Sequence, residues 1–372
     1  MNNIYDVIFI GFGPSTIFSL LKYPQKNCLV LEKGKSLRDR DSKEVLFGSG
    51  GAGAWSDSKL VANPLVGGDL TDISPMGVDY FYSLADQILN WYNHFNRNYY
   101  SQTSFEKFDW IPEDSYEIFS NKLELLKSKV CHIGTDRSKD IFLNMEEYIR
   151  TKHEIQFGQE VHTVVPFWID HGYGKREQLF KIIAKTEGLA NRVEFITKKV
   201  VIGVGKRSNL VEDLKKQLNL KSKNNLVQLG ARVECSNIYL KELVEKFYDF
   251  KIVMNTKLGR WRTFCVNSGS AHVALEKCKD FVSVNGHAFS DERVPNTGLI
   301  NFGLMGELNL GLGRKEQIEL MKKTNAGTGK LLAQNINDFL NNQISNSLNY
   351  NTTLSKNQYR FDHLGKYYPQ GV

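Results

Sequence analysis

The stretch Asp6-Val-Ile-Phe-Ile-Gly-Phe-Gly-Pro-Ser-Thr16, followed by Leu29-Val-Leu-Glu32, decides the fold of this chain. Residues 7–10 are an unbroken apolar run, which is typical of a short strand buried on both faces. The two glycines after it predict a tight turn, residues 15–22 a helix, and residues 29–31 the next buried strand. The pattern therefore predicts a strand–turn–helix–strand unit of an α/β fold.

This unit carries the residues of a dinucleotide site. A helix N-terminus offers free N–H groups and a positive dipole end, so it can hold a pyrophosphate. Glu32 follows Gly11 by about twenty residues, where its carboxylate can accept both ribose hydroxyls of an adenosine. The cofactor contacts predicted from the turn are Gly11, Gly13, Pro14, Ser15 and Thr16. The alternative is a glycine-rich turn in some other α/β protein.

Thr16 departs from the usual fingerprint, which has Gly or Ala as its third small residue. We therefore expect the helix to lie slightly further from the strand than in most such units.

Composition and charge are those of an ordinary globular protein of 372 residues, long enough for two subdomains. The net charge of +7 is spread along the chain and suits anionic cofactors and substrates, so we expect no nucleic-acid partner. No apolar run is long enough to cross a membrane, and no basic region precedes the N-terminal apolar run. Five scattered cysteines without a C-x-x-C pair favour reduced thiols in the cytoplasm and predict no metal site.

A second glycine-rich segment is Phe47-Gly-Ser-Gly-Gly-Ala-Gly-Ala-Trp-Ser-Asp-Ser-Lys-Leu60. So many glycines destabilise regular structure and suit a backbone that wraps closely around a ligand. The alternative is a flexible linker, although linkers seldom carry Trp55 and Leu60. The predicted contacts here are Gly50, Gly51, Ala52 and Ser56. Just before this segment, Arg38 and Arg40 could hold phosphate or simply be solvated.

The rest of the chain predicts further elements. Helices are expected at 79–91, 116–129, 209–218, 315–325 and 329–341, and strands at 154–157, 160–166, 178–185, 192–197 and 199–206. A three-strand antiparallel meander followed by a return strand, with Gly203 and Gly205 at its end, is the crossover found in FAD-binding Rossmann-like domains. Long strands of a second, larger sheet are expected at 226–235, 250–256 and 260–268, and further strands at 281–289 and 298–304.

These elements predict a discontinuous Rossmann-like domain at 1–66 and 128–215, with a mainly helical insertion at 67–127. Residues 216–372 are expected to form a mixed α+β substrate or cap domain.

Several separate stretches occur in the same order in one family. They are Gly11-x-Gly-Pro, Leu31-Glu-Lys-Gly34, Gly50-Gly-Ala-Gly-x-x-Ser-Asp-x-Lys-Leu60, Ile133-Gly-Thr-Asp136, Thr263-Phe-Cys265 and Val284-Asn-Gly286. The chain resembles the uncharacterised bacterial FAD-dependent dehydrogenases, relatives of the geranylgeranyl reductase and aromatic hydroxylase flavoproteins. The resemblance implies an FAD-binding Rossmann-like fold and adds Lys33 and Val161, the latter through its backbone, to the expected cofactor contacts.

Departures from the family pattern are also clear. Ser58 stands where the family usually has glycine, and Asn267-Ser-Gly-Ser270 replaces the usual Cys-Pro-Gly-Gly. Family members also continue with a Gly-Glu-Gly-x-Gly-x-x-Gly-Gly segment that binds the flavin end, whereas this sequence stops at Val372. We expect a naturally short protein, a fragment, or a partner chain or homo-oligomer that supplies the remainder.

The resemblance therefore implies an FAD-dependent oxidoreductase acting on a small organic substrate. There is one nucleotide fingerprint, so any NAD(P)H must bind transiently, or the reductant is something else. Lys59 is the expected cation beside the flavin, with a surface lysine as the alternative. His287 and Arg293 are candidates for the substrate side, because His287 can titrate near neutral pH.

Two other functions remain open. Glu32 also permits an NAD-dependent Rossmann enzyme. The departures at Ser58 and Ser270 permit a catalytically silent flavoprotein relative with a binding or regulatory role.

Overall fold

The structure of the chain is a computed structural model. It describes residues 4–23, 27–41, 47–55, 58–66, 76–96, 107–111, 118–120, 123–126, 128–189, 191–205, 208–221, 226–277, 281–291, 293–325, 327–349 and 351–368.

The described residues form strands and helices throughout the chain. The strands are β1 (Ile4–Tyr5), β2 (Val7–Ile10), β3 (Cys28–Leu31), β4 (Lys59–Ala62), β5 (Ile118–Ser120), β6 (Leu123–Leu125), β7 (Lys129–His132), β8 (Glu154–Gln156), β9 (Gln159–Asp170), β10 (Arg176–Thr186), β11 (Arg192–Thr197), β12 (Val200–Ile202), β13 (Val227–Ser236), β14 (Ile252–Thr256), β15 (Gly259–Asn267), β16 (His272–Lys277), β17 (Val282–His287), β18 (Leu299–Leu308), β19 (Leu331–Ala333) and β20 (Tyr359–Phe361). The helices are α1 (Pro14–Lys22), α2 (Gly77–Phe95), α3 (Thr135–Arg150), α4 (Leu210–Gln217), α5 (Lys241–Phe247), α6 (Arg314–Asn325) and α7 (Ile336–Leu340).

The chain divides into two compact units, each built from separate segments. The first unit comprises Met1–Ser58, Asp86–Lys107 and Thr135–Lys223. The second comprises Lys59–Ala85, Phe108–Gly134 and Asn224–Val372.

A parallel sheet lies at the centre of the first unit, with strand order β12-β2-β3-β8. Both β2 and β3 are buried at every position, as their unbroken apolar runs predict. After β8 the chain forms the antiparallel meander β9–β10–β11 and then returns to the parallel sheet as β12, beside β2. The predicted α/β, Rossmann-like fold with a meander crossover is therefore confirmed.

The core of the first unit lies between the parallel sheet and the meander. Ile8 and Ile10 of β2 share one cluster with Val164 of β9 and Ile182 of β10, and Leu210 of α4 closes it. Alternate residues of a strand point to opposite faces, so the other side chains of β2 face away from the meander. A separate aromatic cluster joins α1, α2 and α3, in which Phe18 stacks on Trp91 with ring centroids 5.8 Å apart.

The second unit contains a six-stranded antiparallel sheet with the order β13-β18-β15-β14-β6-β5. The hairpin β16–β17 and the pairs β4–β7 and β19–β20 complete its strands. The larger second sheet predicted from the sequence is present; it is antiparallel throughout and includes β5 and β6, which precede residues 216–372. Of the helices in the described ranges, none has both the length and the apolar character needed to cross a membrane.

Two helix predictions are wrong. Within residues 116–129 the described parts form β5 and β6 and the start of β7, because β6 pairs with the distant β14 and places Leu125 in the core. Such non-local pairing overrides helix propensity. Within residues 329–341, the apolar run at Leu331 pairs with β20, so only α7 remains helical.

Candidate functional site

The turn between β2 and α1 has the geometry that its glycines predict. Gly11 has a φ of +93°, and a Cβ atom there would lie 2.7 Å from the Gly203 carbonyl oxygen. The Gly11 amide donates to the Leu31 carbonyl oxygen at 2.8 Å, which ties the turn to the end of β3. Only glycine suits this position, because both the backbone conformation and the contact exclude a side chain.

The N-terminus of α1 is an open cradle. Gly13 is its N-cap residue, Pro14 opens its first turn, and no described side chain caps this end. A Cβ atom at Gly13 would meet no described atom within 4 Å, and Ser15 is exposed. Uncapped N–H groups at a helix start favour an anion. This end can therefore receive a phosphate group.

Glu32 lies at the end of β3 and is 5% exposed. Its Oε2 accepts the Phe12 amide at 2.7 Å, and its Oε1 accepts the Gly34 and Gly48 amides at 2.9 and 3.0 Å. A carboxylate has about four acceptor positions, so the amides leave room for one further donor. The carboxylate therefore fixes three backbone segments and retains capacity for one ribose hydroxyl, whereas the sequence suggested two.

The second glycine-rich segment packs against the α1 cradle. The Gly50 amide donates to the Phe12 carbonyl oxygen at 2.9 Å. A Cβ atom at Gly51 would lie 3.4 Å from the Cα of Gly13, and one at Gly53 would lie 2.8 Å from Pro14. Ala52 is exposed. The predicted contact Ser56 lies outside the described residues.

Arg40 is buried and holds this segment in place. Its guanidinium donates to the carbonyl oxygens of Ser49 and Gly51, the latter at 3.0 Å, and it lies 5.4 Å from the Trp55 ring centroid. The side chain is 4% exposed, so it is not simply solvated. Arg38, in contrast, is exposed and forms an ion pair with Glu147.

Two other predicted contacts lie beside the meander. Lys33 is exposed and its Nζ lies 2.6 Å from Glu160 on β9. Val161 belongs to the buried core, opposite Ala184 at a β-bulge in the β9–β10 ladder. The bulge leaves backbone groups beside Val161 outside the regular pairing.

Gly203 and Gly205 follow β12. Gly203 packs against the turn, and its amide donates to the Ile10 carbonyl oxygen at 2.8 Å. Thr16 is 1% exposed and faces Gly203, and its hydroxyl has no partner among the described residues. At Gly205 a Cβ atom would meet no described atom within 4 Å. The turn, the Glu32 carboxylate and the second glycine-rich segment thus lie together at the N-terminus of α1 in the first unit.

The three predicted catalytic residues belong to the second unit. Lys59 is half-buried, and its Nζ donates to the Val266 carbonyl oxygen and, at 2.8 Å, to Asn267 Oδ1. His287 stacks on His272 with ring centroids 5.4 Å apart. Arg293 is largely exposed and binds Asp291, whose carboxylate raises the pKa of the guanidinium.

A buried polar cluster around Lys59 was not predicted. Asp249 and Lys251 form an ion pair of 2.5 Å and are 2% and 3% exposed. Burial lowers the pKa of Lys251, and Asp249 only partly offsets this effect. Burial alone would raise the pKa of Asp249, but the cations Lys251 and Lys59 outweigh it and the pKa is lowered. Asp249 and Lys251 are two residues apart, a spacing that places side chains on the same face of an extended segment. This spacing was the one signal in the sequence for the pair.

Comparisons with known proteins give only weak similarity. No protein-family model matches the chain, and no curated protein is similar to it in sequence. The structure is similar to that of a flavoprotein/dehydrogenase from Cytophaga hutchinsonii, with a TM-score of 0.38, 10% identity, and 82% of this chain and 56% of that chain covered.

Two further known structures are similar to the structure of this chain. For p-nitrophenol 4-monooxygenase PnpA from Pseudomonas putida DLL-E4 the TM-score is 0.36 at 11% identity, over 86% of this chain and 61% of that chain. For THI4 from Thermovibrio ammonificans the TM-score is 0.31 at 14% identity, over 58% of this chain and 64% of that chain. The chain spans less than two thirds of each relative's length, and TM-scores this low carry no functional argument. The family resemblance therefore stays a prediction.

Proposed function

We propose that this chain is an FAD-dependent oxidoreductase acting on a small organic substrate. The proposal rests on the uncapped N-terminus of α1, which lies beside the Glu32 carboxylate. Both belong to a parallel sheet whose crossover is an antiparallel meander. A nicotinamide-binding Rossmann unit usually has helical crossovers instead. This geometry favours FAD over NAD as the resident cofactor.

The residues of the first unit fit a dinucleotide. Backbone N–H groups at Gly13 and Ser15 would hold the pyrophosphate, and the remaining acceptor position of Glu32 would take one ribose hydroxyl. When bound, the isoalloxazine supplies hydride or electron transfer, while the protein supplies position and electrostatics. Lys59 remains the candidate cation beside the flavin, and His287 and Arg293 remain the candidates for the substrate side.

The experiment is a titration of the purified full chain with FAD, followed by visible absorbance. We expect saturable FAD binding and much weaker binding of NAD. Preferential NAD binding would support the NAD-dependent alternative. Bound FAD that dithionite reduces but that a dye acceptor then fails to reoxidise would favour the catalytically silent relative.

Gly13→Ala tests the cradle itself. The added methyl group meets no described atom, so the fold should tolerate it. The same methyl group should prevent a phosphate from coming close to the backbone. We expect FAD affinity to fall about tenfold or more, as loss of one or two charge-assisted hydrogen bonds would cause, with an unchanged unfolding midpoint. Ser19→Ala, an exposed site on the same helix, is the matched control. Equal affinities of both variants and the native chain would contradict the proposal.

A further inference from the structure

Strand β13 places Arg232 within the large sheet of the second unit. Arg232 lies opposite Gly303 of β18, which in turn lies opposite Phe264 of β15, so the three residues share one face of the sheet. The side chain of Arg232 is half-buried. A guanidinium is permanently charged and carries five N–H donors, so such a position calls for several acceptors and for a counter-ion.

One corner of this guanidinium is fixed by hydrogen bonds. Arg232 Nη1 donates to Asn301 Oδ1 at 2.5 Å and to the Cys265 carbonyl oxygen at 3.3 Å. Asn301 is fully buried, and Cys265 lies in a β-bulge of the β15–β18 ladder with a φ of +50°. Bulges redirect the groups of a strand and are frequent beside functional sites. Both hydrogens of Nη1 are therefore used to hold the guanidinium in one orientation.

The opposite edge of the guanidinium makes no such bonds. Arg232 Nε and Nη2 have no hydrogen-bond partner among the described residues, and neither belongs to the fully buried polar atoms, so solvent reaches both. The N–H bonds of this edge are parallel and match the two oxygens of a carboxylate. The fixed corner thus presents a preorganised pair of donors.

No carboxylate in the described part of the chain forms an ion pair with Arg232. Glu234, on the same face of β13, accepts the Thr353 hydroxyl at 3.0 Å. Glu307 pairs with Arg262 at 3.7 Å. A half-buried cation without a counter-ion is destabilising, and a bound anion would offset this cost.

Lys59 adds positive charge to the same network. Its Nζ donates to Asn267 Oδ1 at 2.8 Å, and Asn267 Nδ2 donates to Asn301 Oδ1 at 2.9 Å. A Cβ atom at Gly286 of β17 would overlap Arg232 Nη1, Asn267 and Asn301, so this strand packs on the fixed corner. The network therefore has a cation at each end and is covered where Arg232 is already bonded.

An aromatic ring lies at the same level of the sheet. The Phe264 ring lies over Gly303, since a Cβ atom at Gly303 would overlap it, and Gly303 is the residue directly opposite Arg232. Binding sites for small molecules combine apolar or aromatic surface with a few placed polar groups. This combination suits a ligand that has both a carboxylate and an apolar body.

We propose that the Nε–Nη2 edge of Arg232 binds the carboxylate group of a small organic acid, and that this acid is the substrate. Two parallel N–H···O bonds would hold the carboxylate, while the Phe264 ring would contact the apolar body. A phosphate dianion fits less well, because two donors leave its third terminal oxygen unpaired. The inference rests on the proposed function only in taking the acid as the substrate, since the binding itself requires no FAD.

The test is a calorimetric titration of the native full chain, without FAD and at constant ionic strength, with benzoate and with its neutral isostere benzamide. We expect benzoate to bind at least about tenfold more tightly, because both of its hydrogen bonds are charge-assisted. Absence of saturable benzoate binding, equal affinities for the two compounds, or tighter binding of inorganic phosphate would overturn the proposal. Because no FAD is used, this proposal and the proposed function fail independently.

Two variants locate the site on Arg232. Arg232→Lys keeps the charge but loses the paired donors, so the affinity for benzoate should fall about tenfold. Asn301→Asp keeps the acceptor and supplies a carboxylate beside the guanidinium, so it should also weaken benzoate binding about tenfold or more. Native benzoate affinity in a folded Arg232→Lys protein would contradict the proposal. If neither variant folds, the native preference for benzoate over benzamide still decides the question.

Arg260→Lys is the matched control. Arg260 is half-buried like Arg232 and belongs to the same sheet, but it lies further along the ladder, opposite Glu307, and no described acceptor fixes its guanidinium. We expect this variant to bind benzoate like the native chain. A loss as large as that of Arg232→Lys would mean that benzoate responds to the overall charge of the sheet and not to a site at Arg232.

Discussion

Thr16 occupies the space that a side chain at position 203 would need: a Cβ atom at Gly203 would lie 2.4 Å from Thr16 Oγ1. Thr16 is the departure from the usual fingerprint, and it is 1% exposed. The threonine is thus accommodated by a glycine on the neighbouring strand end. Gly203 therefore has a packing role, whether or not it also contacts a cofactor.

Gly203→Ala should destabilise the protein by about 1–3 kcal/mol, because it overpacks a buried contact. Adding Thr16→Ala should restore most of that loss, since the clashing hydroxyl makes no hydrogen bond with a described residue. Denaturant unfolding of both single variants and the double variant measures the coupling. A double variant no more stable than Gly203→Ala would show that the two positions do not compensate.

The first unit could be predicted because its signals are local. The apolar runs of β2 and β3, the two glycines between them and Glu32 lie within one short stretch. Thr16 is unusual in the local pattern, but its partner Gly203 follows β12, a strand that comes much later in the chain and pairs with β2, and no local pattern reveals this contact.

The second unit was predicted less well, because its contacts join distant segments. Strand β6 is placed by pairing with β14, and propensity alone favoured a helix there. The cluster around Cys265 draws on Lys59, Lys251 and Asn301 from three separate strands or strand ends. Only the folded sheet brings these residues together.

Glu32 is expected to stabilise the fold as well as bind a ligand. Glu32→Ala leaves the buried amides of Phe12, Gly34 and Gly48 without their acceptor. Each unsatisfied group costs about 1–3 kcal/mol, and water entering the space offsets part of it, so we expect a loss of about 2–5 kcal/mol. Glu154→Gln, an exposed carboxylate on β8, is the control and should change stability by about 0.5 kcal/mol or less.

The unfolding free energy and the FAD affinity should be measured together for the Glu32 variant. An unchanged unfolding free energy would mean that the three amide contacts contribute nothing. An unchanged FAD affinity in a folded Glu32→Ala protein would remove Glu32 from the binding site.

Ser58 has a φ of +46°, which gives a physical reason for the glycine that the resembling family usually has there. Its hydroxyl donates to the Gly53 carbonyl oxygen at 2.8 Å and bonds the Ser138 hydroxyl. Ser58→Ala keeps the strained backbone and loses both bonds, whereas Ser58→Gly loses the bonds and relieves the strain. We expect Ser58→Gly to be more stable than Ser58→Ala by about 1 kcal/mol. Thermal unfolding of the pair is the measurement, and the reverse order would contradict the assigned backbone conformation.

The buried pair of Asp249 and Lys251 should be strongly coupled. Asp249→Asn leaves the ammonium group of Lys251 buried without its counter-ion, which should cost about 3–5 kcal/mol. Lys251→Met likewise leaves the carboxylate of Asp249 buried without its counter-ion. The double variant Asp249→Asn/Lys251→Met should be close to native stability, because the asparagine oxygen can still accept the Val266 amide.

Acid unfolding provides an independent check on Asp249. Its pKa is lowered from 3.8 because Lys251, Lys59 and the hydrogen bonds from Lys251 and Val266 together outweigh the effect of burial. A lowered pKa in the folded state means that this contribution to stability is complete above pH 3.8 and is lost as the pH falls further. Denaturant unfolding should therefore show the native chain and the double variant close in stability at neutral pH, with the native chain becoming the less stable of the two as the pH falls through the acid range. If both lose stability in parallel from neutral pH to pH values below 3.8, the ion pair does not contribute to the acid sensitivity of this fold.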